Sequence, residues 1–275
     1  MERQRIAFIG GGNMARSLIG GLIGDGYPAD ALAVSEPDEQ RRQDLNARFA
    51  VATAADNRTA VSGADIVVLA VKPQLVHEVA SEIATALADA RPLVISIAAG
   101  VRAADIGRWL GYDGPIVRCM PNTPALLQSG ITALYANERV LEAQHDAAES
   151  ILRAVGTVIW LDDEDRMDTV TAISGSGPAY FFRMMEALEK SGTARGLPAE
   201  QARLLAIETA LGAARMALES DDDPATLRAN VTSKGGTTAA ALDAFEHGGF
   251  ADLVDRAVGA AADRAGELGD KLGKV

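Results

Sequence analysis

The stretch Asn230-Val231-Thr232-Ser233-Lys234-Gly235-Gly236-Thr237-Thr238 concentrates hydroxyls and flexible backbone ahead of an Ala-rich run, residues 239–245, of helical character. Adjacent glycines permit a tight turn and let a ligand reach the backbone with no side chain in the way. A helix start behind them offers unpaired N–H groups and the positive end of its dipole. Hydroxyls of Thr232, Ser233, Thr237 and Thr238 crowd the same residues. Together they describe a pocket for a small anion, most simply a carboxylate. The dipole contributes roughly 0.3–1 kcal/mol, up to about 2 kcal/mol when partly buried, so N–H and O–H bonds must supply the rest. The same residues also fit an ordinary capped helix start, and the stretch alone does not separate the two.

A second constellation stands at the other end of the chain. Residues 5–9 form a short apolar strand that runs into Gly10-Gly11-Gly12-Asn13-Met14-Ala15 and then a helix with Leu18, Leu22 and Ile23 on one side. Strand, glycine turn and helix in that order match the dinucleotide-binding fingerprint. Gly10 makes the turn, Gly12 admits the pyrophosphate, and Ala15 lets the helix pack close to the strand. A second strand, residues 31–35, ends at Glu36, where a residue reading the adenosine ribose belongs. A carboxylate there accepts from a free 2′-hydroxyl and repels a 2′-phosphate. Arg41 and Arg42 lie just beyond, either as a phosphate clamp or as an exposed helix face. The choice between NADH and NADPH stays open.

These sites need a frame. Apolar runs at 65–71, 93–97 and 115–120 stop at small or proline-marked turns, Lys72-Pro73-Gln74, Ala98-Ala99-Gly100 and Pro121-Asn122-Thr123-Pro124. Continuous apolar strands separated by helices predict an α/β, doubly wound sheet of Rossmann type, with ligands at the carboxyl ends of its strands. Two further strands, 131–135 and 157–161, flank a helix from about 138 to 155. Beyond Leu161 the β pattern ceases, and acidic residues 162–165 open a helical region. The expected domains are therefore 1–161, dinucleotide-binding, and 162–275, all-α. Residues 180–188 are apolar nearly all round and are expected to be buried, a subunit interface being one place for them. Leu204, Ile207, Leu211, Ala214 and Leu218 form one stripe, again suited to an oligomer interface.

The whole chain sets the bounds. Its 275 residues suffice for two domains and a sizeable core. A formal net charge of −12 removes the electrostatic footprint for nucleic acid or anionic membrane. One cysteine, Cys119, excludes an internal disulfide and fits a reducing compartment. With no leader-like start and no apolar run of membrane-spanning length, a cytoplasmic protein is expected. His77, His145 and His247 lack partners at metal-ligand or nucleophile spacing and read as surface or packing residues. Cys119 reads as a small core hydrophobe. No metal site is expected, and a bound cofactor would carry the chemistry.

Five motifs stand in register: residues 9–15, 70–74, 120–125, 174–180 and 231–238. On these the sequence closely resembles the pyrroline-5-carboxylate reductases over essentially its full length. The resemblance implies a Rossmann domain followed by a helical substrate-binding and dimerisation domain, with dimers assembling further in some members. It implies reduction of the ring C=N of 1-pyrroline-5-carboxylate to L-proline by NADP or NAD in reduced form. By position, Gly10, Gly12, Asn13 and Met14 would hold the pyrophosphate, and Ser35 and Glu36 would face the ribose. Asn57, Ala70, Val71, Lys72 and Pro73 would line the cofactor crevice, with Ser96 and Ala98 near the nicotinamide. Glu164 and Asn230 would lie beside nicotinamide and substrate, while Ser233, Gly235, Gly236, Thr237 and Thr238 would cradle the carboxylate and ring nitrogen. Thr238 is the expected proton donor or positioning group. One departure is Lys234, where relatives usually carry proline. The rival resemblance, to β-hydroxyacid dehydrogenases, requires a catalytic Lys and Asn where this chain has Phe181 and Met184 or Met185. A non-catalytic NAD(P)H sensor would keep the glycine turn but would not need the 233–238 pocket.

Overall fold

A computed structural model describes residues 4–274. Strands and helices alternate first: β1 (Ile6–Ile9), α1 (Asn13–Gly24), β2 (Leu32–Ser35), α2 (Glu39–Phe49), β3 (Ala52–Ala54), α3 (Asn57–Val61), β4 (Ile66–Leu69) and α4 (Val76–Leu87). The same pattern continues through β5 (Leu93–Ser96), α5 (Ala103–Leu110), β6 (Ile116–Met120), β7 (Gly130–Ala136), α6 (Glu142–Arg153) and β8 (Gly156–Trp160). Helices follow alone: α7 (Arg166–Val170), α8 (Gly177–Ala194), α9 (Ala199–Glu219), α10 (Pro224–Asn230), α11 (Thr237–His247) and α12 (Phe250–Leu272).

The strands form one eight-stranded sheet in the order β3-β2-β1-β4-β5-β6-β7-β8. The first six are mutually parallel, as expected of the doubly wound plan. β7 runs antiparallel to β6, and β8 parallel to β7. Only residues 121–129 join β6 to β7, which is too short for the helical crossover a parallel return requires. Sequence reading missed β3, whose Ala-Thr-Ala has no apolar run and lies at the sheet edge.

Both faces of the sheet are covered. Along β1, Ile6 and Phe8 join one core with Leu18, Leu22, Val68 and Ile151. Ala7 and Ile9 join the other with Val67, Ile83, Val94 and Ile106. The period of two, apolar on both sides, explains the unbroken hydrophobic runs in the sequence. The order in which strands are added reverses at β1: β2 and β3 lie to one side, and β4 returns on the other. Ile9 is level with both Ser35 and Leu69, and Leu69 with Ser96. The turns after these strands therefore emerge at one height, at the topological switch point where such sheets bind ligands.

Two compact units result. The first takes in everything up to Ser176 together with the C-terminal residues from Ala261, and the second is Gly177–Ala260. The sheet unit reaches past the strands because α7 continues from β8 and the end of α12 packs on α5. There Arg102 Nη2 meets Asp270 Oδ1 at 2.7 Å, and Arg108 donates to the Gly273 carbonyl at 2.6 Å. Within the second unit α8 and α9 pair through small residues. A Cβ on Gly192 would stand 3.1 Å from the Ala202 methyl, and Ala202 and Ala206 are buried. Arg203 closes the pair with a two-pronged bond to Glu189, Nε to Oε2 at 3.1 Å and Nη2 to Oε1 at 2.8 Å. The burial expected of residues 180–188 is not met within the chain. Phe181 and Phe182 are 65% and 64% exposed, and the stripe residues Leu204, Ile207, Leu211 and Leu218 are exposed as well.

Gly21 offers a check on how tightly the sheet unit is packed. A Cβ added there would lie 2.2 Å from the backbone carbonyl oxygen of Ala154. Gly21→Ala, although favourable for helix propensity by up to about 1 kcal/mol, should lower unfolding stability by about 1–3 kcal/mol through overpacking. Urea denaturation of the variant beside wild type measures the sign.

Candidate active site

The glycine turn is built for close approach. Gly10 has φ +99°, a backbone conformation L side chains rarely adopt, and its N–H bonds to the Ser35 carbonyl at 2.8 Å. A Cβ on Gly10 would lie 2.7 Å from the Ala70 carbonyl oxygen, so only glycine lets the β1 and β4 turns sit side by side. Gly11, to which the sequence reading gave no role, is a packing glycine: its Cβ would strike Leu45 Cδ1 at 2.6 Å. Gly12 faces open space, with nothing within 4 Å of an added Cβ. It is also the N-cap of α1 and makes no side-chain capping bond. The first-turn N–H groups at Asn13 and Met14 thus meet the requirements of a pyrophosphate cradle. Ala15 is buried, as close helix–strand packing demands.

Around this turn the other sequence-derived residues fall at the same carboxyl edge. Ser35 Oγ donates to Asn57 Oδ1 at 2.6 Å, and Asn57 Nδ2 donates to Glu82 Oε2 at 2.6 Å. Glu36 is buried, its Oε2 accepting from the Gly11 N–H and its Oε1 from the Asp38 N–H, each at 3.2 Å. Arg42, read from sequence as a clamp or an exposed face, instead donates to the Glu36 and Pro37 carbonyls at 2.8 and 2.7 Å. Ala70 and Val71 are half-buried, Lys72 is exposed, and Pro73 opens a 3-10 turn ahead of α4. Ser96 and Ala98 are buried, the Ala98 N–H reaching Ser96 Oγ at 3.4 Å.

Glu164 has a different environment. Its Oε1 accepts from the Ala103 N–H at 2.8 Å, capping α5 from 61 residues away, and from Arg118 Nη1 at 3.1 Å. Arg118 is 4% exposed in the middle of β6, and Asp168 Oδ1 stands 3.9 Å from its Nη2. Sequence reading passed over Arg118. The available signal was a single charge inside an apolar strand, which must find a partner when buried. A cleft of about 700 Å³ runs along α5, lined from Glu164 to Gly114. Apart from Glu164 it is lined by none of the residues singled out for chemistry.

In the second unit, Gly235 has φ +73° and Gly236 caps α11 with no side-chain capping bond. The Gly236 N–H bonds to the Ser233 carbonyl at 3.0 Å, closing a turn, and a Cβ on Gly236 would sit 2.5 Å from Ser233 Oγ. Open helix N–H groups and the Ser233 hydroxyl therefore share one notch, with Thr237 exposed and Thr238 half-buried at the helix start. Thr232 is not part of it, because its hydroxyl donates to the Arg228 carbonyl at 2.6 Å. Asn230 ends α10 and donates to Asp222 Oδ2 at 3.3 Å.

The histidines are spent on packing, as expected: His145 stacks on Trp160 at 3.6 Å, His77 lies against Trp109, and His247 Nδ1 pairs with the Asp243 carbonyl. Cys119 is buried, and burial pushes its thiol far above the usual range, so it is no thiolate nucleophile. Among the described residues no group of three or more His, Cys, Asp or Glu could hold a metal.

The Arg118–Glu164 pair gives a stability prediction. Glu164→Ala leaves a buried guanidinium with only Asp168 nearby and removes the cap of α5. It should cost about 3 kcal/mol, the low end for a broken buried pair because Glu164 is partly exposed. Glu164→Gln keeps an acceptor for the Ala103 N–H and should cost less. Chemical denaturation of the two variants tests the order.

Comparison with known proteins agrees with this architecture. Residues 164–268 match the family model described as pyrroline-5-carboxylate reductase dimerisation, and residues 5–100 match that described as NADP oxidoreductase, coenzyme F420-dependent. The chain is 50% identical over 274 residues to a pyrroline-5-carboxylate reductase of Pseudomonas aeruginosa, covering 100% of both chains. It superposes on the pyrroline-5-carboxylate reductase of Coxiella burnetii with a TM-score of 0.94 at 46% identity, covering 97% of this chain and 99% of the other. The Plasmodium falciparum pyrroline carboxylate reductase, solved with NADP bound, gives 0.85 at 30% identity, covering 98% and 99%. With motifs, fold and full-length relatives in agreement, this chain belongs to the pyrroline-5-carboxylate reductase family.

Proposed function

We propose that the chain reduces 1-pyrroline-5-carboxylate to L-proline, the last step of proline biosynthesis, with NADPH or NADH as hydride donor. The observation that carries this reading is a pair of uncapped helix starts, each behind a positive-φ glycine: α1 behind Gly10 and α11 behind Gly235. The first suits a pyrophosphate, the second a carboxylate. A cofactor sensor needs only the first. A β-hydroxyacid dehydrogenase needs a Lys and an Asn on α8, where Phe181, Met184 and Met185 stand.

The roles follow from what each group can do. Gly10, Gly12, Asn13 and Met14 hold the pyrophosphate, and Ser35, Glu36 and Asn57 lie on the ribose side. The turns from Ala70 to Pro73 and from Ser96 to Ala98 line the rest of the crevice. The bound reduced nicotinamide supplies the hydride. N–H groups and hydroxyls of Ser233, Gly235, Gly236 and Thr237 pin the substrate carboxylate, with Asn230 beside them. Orientation of this kind lowers a barrier by as much as about 7–11 kcal/mol. As hydride adds to the imine carbon, the ring nitrogen gains a proton, and Thr238 donates or relays it. Glu164, whose Oε1 holds the Ala103 N–H and Arg118, lies on the side of nicotinamide and substrate.

We place the functional boundary near 161/162, with cofactor chemistry before it and substrate binding and dimerisation after it. The exposed aromatic and aliphatic residues of α8 and α9 are the surface for a second copy of the chain, in keeping with the dimerisation model they match. Among the described residues no helix is long and apolar enough to cross a membrane, and we assign the enzyme to the cytoplasm.

Loss of absorbance at 340 nm on mixing NAD(P)H with 1-pyrroline-5-carboxylate tests the activity, and no loss at saturating substrate overturns it. Thr238→Ala should lower kcat by about 10²-fold or more while leaving NAD(P)H affinity intact, since it removes a proton donor and no cofactor contact. Unchanged kcat would remove Thr238 from the mechanism. For assembly, Phe181→Asp with Leu204→Asp should turn a dimer or larger species into a monomer on light scattering.

A further inference from the structure

We infer that Asn122 is a positioning residue for hydride transfer: it fastens the turn after β6 to a π turn at residues 171–175 and so fixes the nicotinamide end of the cofactor crevice. The inference rests on the dinucleotide reading proposed above. It joins two sequence motifs, residues 120–125 and 174–180, that this reading leaves without a role.

Between α7 and α8 the chain makes a π turn, Thr171–Gly175, closed by the Ser176 N–H on the Thr171 carbonyl at 2.8 Å. Such turns are uncommon and occur frequently at functional sites. Local chemistry explains how this one forms. Thr171 Oγ1 and Ser174 Oγ donate back to the Met167 and Val170 carbonyls at 2.8 and 3.0 Å, bonds of a kind that bend helices. Pro178 stands four residues beyond Ser174 and has no N–H, so the Ser174 carbonyl is denied the donor a regular α-helix would give it. Asn122 supplies one from 52 residues away: its Nδ2 donates to the Ser174 carbonyl at 3.2 Å.

The other half of the same amide is engaged as well. Asn122 Oδ1 accepts from the Ile131 N–H, at the start of β7, at 3.0 Å. One half-buried side chain therefore ties its own turn to two other backbone segments. Met120, at the end of β6, packs where Gly175 has no side chain, and a Cβ there would run into Met120 Cε. Ser96 is level with Arg118, so the turn after Met120 leaves the sheet at the carboxyl edge beside the Ser96–Ala98 turn. It lies on the far side of β1 from Glu36. A dinucleotide with its adenosine ribose over β2 and its pyrophosphate on α1 brings its nicotinamide to this side. A misplacement of about 1 Å there can cost 10²-fold in rate, so the tie that holds the turn matters for the chemistry.

The test compares full-length wild type, Asn122→Asp and Gly175→Ala for NAD(P)H oxidation in a single turnover, ADP-ribose affinity by calorimetry, and the urea midpoint. Asn122→Asp keeps an acceptor for the Ile131 N–H and, at neutral pH, loses the donor to Ser174. It should slow hydride transfer about tenfold or more and leave ADP-ribose affinity unchanged, since that ligand lacks the nicotinamide. As pH falls toward the carboxyl range, about 4 to 5, the new carboxyl gains a proton and with it a donor, so the ratio of variant to wild-type rate should climb. Gly175→Ala displaces only the flexible tip of Met120 and should slow hydride transfer several-fold, with Met120→Ala in the same chain restoring it. That pair decides the matter if Asn122→Asp does not fold. Wild-type rates in both single variants overturn the inference. Slower transfer accompanied by weaker ADP-ribose binding and a lower urea midpoint, with no recovery at acid pH, overturns it in favour of a general structural role. Absence of turnover in wild type overturns the proposed reaction itself.

Discussion

Much of the first unit depends on one close approach, that of the Gly10 backbone to the Ala70 carbonyl. It occurs where the sheet changes direction, between β1 and β4, and it holds because position 10 has no Cβ and adopts φ +99°. The Gly10 N–H bonds to Ser35, and the Ala70 N–H bonds to Ile9 at 2.9 Å, so three turns are tied to one level. From that level α1 rises with its first N–H groups uncapped, and Glu36 turns inward to Gly11. Any side chain at Gly10 would part the strands and misplace each of these groups together.

The second unit solves a similar problem differently. Its helices pair through Gly192, Ala202 and Ala206, which brings backbones close but buries few large side chains. Aromatic and aliphatic residues of α8 and α9 consequently face outward. That surface is too apolar for a chain working alone and agrees with a family model defined by dimerisation. The turn before α11 uses the same economy of small residues, Gly235 for the left-handed turn and Gly236 to make room for Ser233.

Most of the candidate site was legible because local chemistry decides it. A strand running into glycines and then a helix start is a local pattern, and in the structure Gly10 turns with positive φ, Gly12 faces open space and Ala15 is buried. What stayed hidden involves partners distant in sequence. Gly11 matters for Leu45 on α2 and Arg118 for Glu164, so neither could be read from its own neighbourhood. β3 escaped because an edge strand of three residues needs neither a hydrophobic run nor alternation.

The sequence by itself determined the alternation of strands and helices, both glycine-rich helix starts and the family, since each rests on short-range pattern or on motif order. Tertiary structure decided which groups are already engaged. It reversed β7, because nine residues cannot carry a parallel crossover, and it turned the Thr232 hydroxyl onto the Arg228 carbonyl. It also left the apolar helix faces uncovered within the chain and turned Glu36 and Glu164 toward backbone N–H groups. The last of these depend on hydrogen bonds and packing that exist only once distant segments are in contact, and no local residue pattern encodes them.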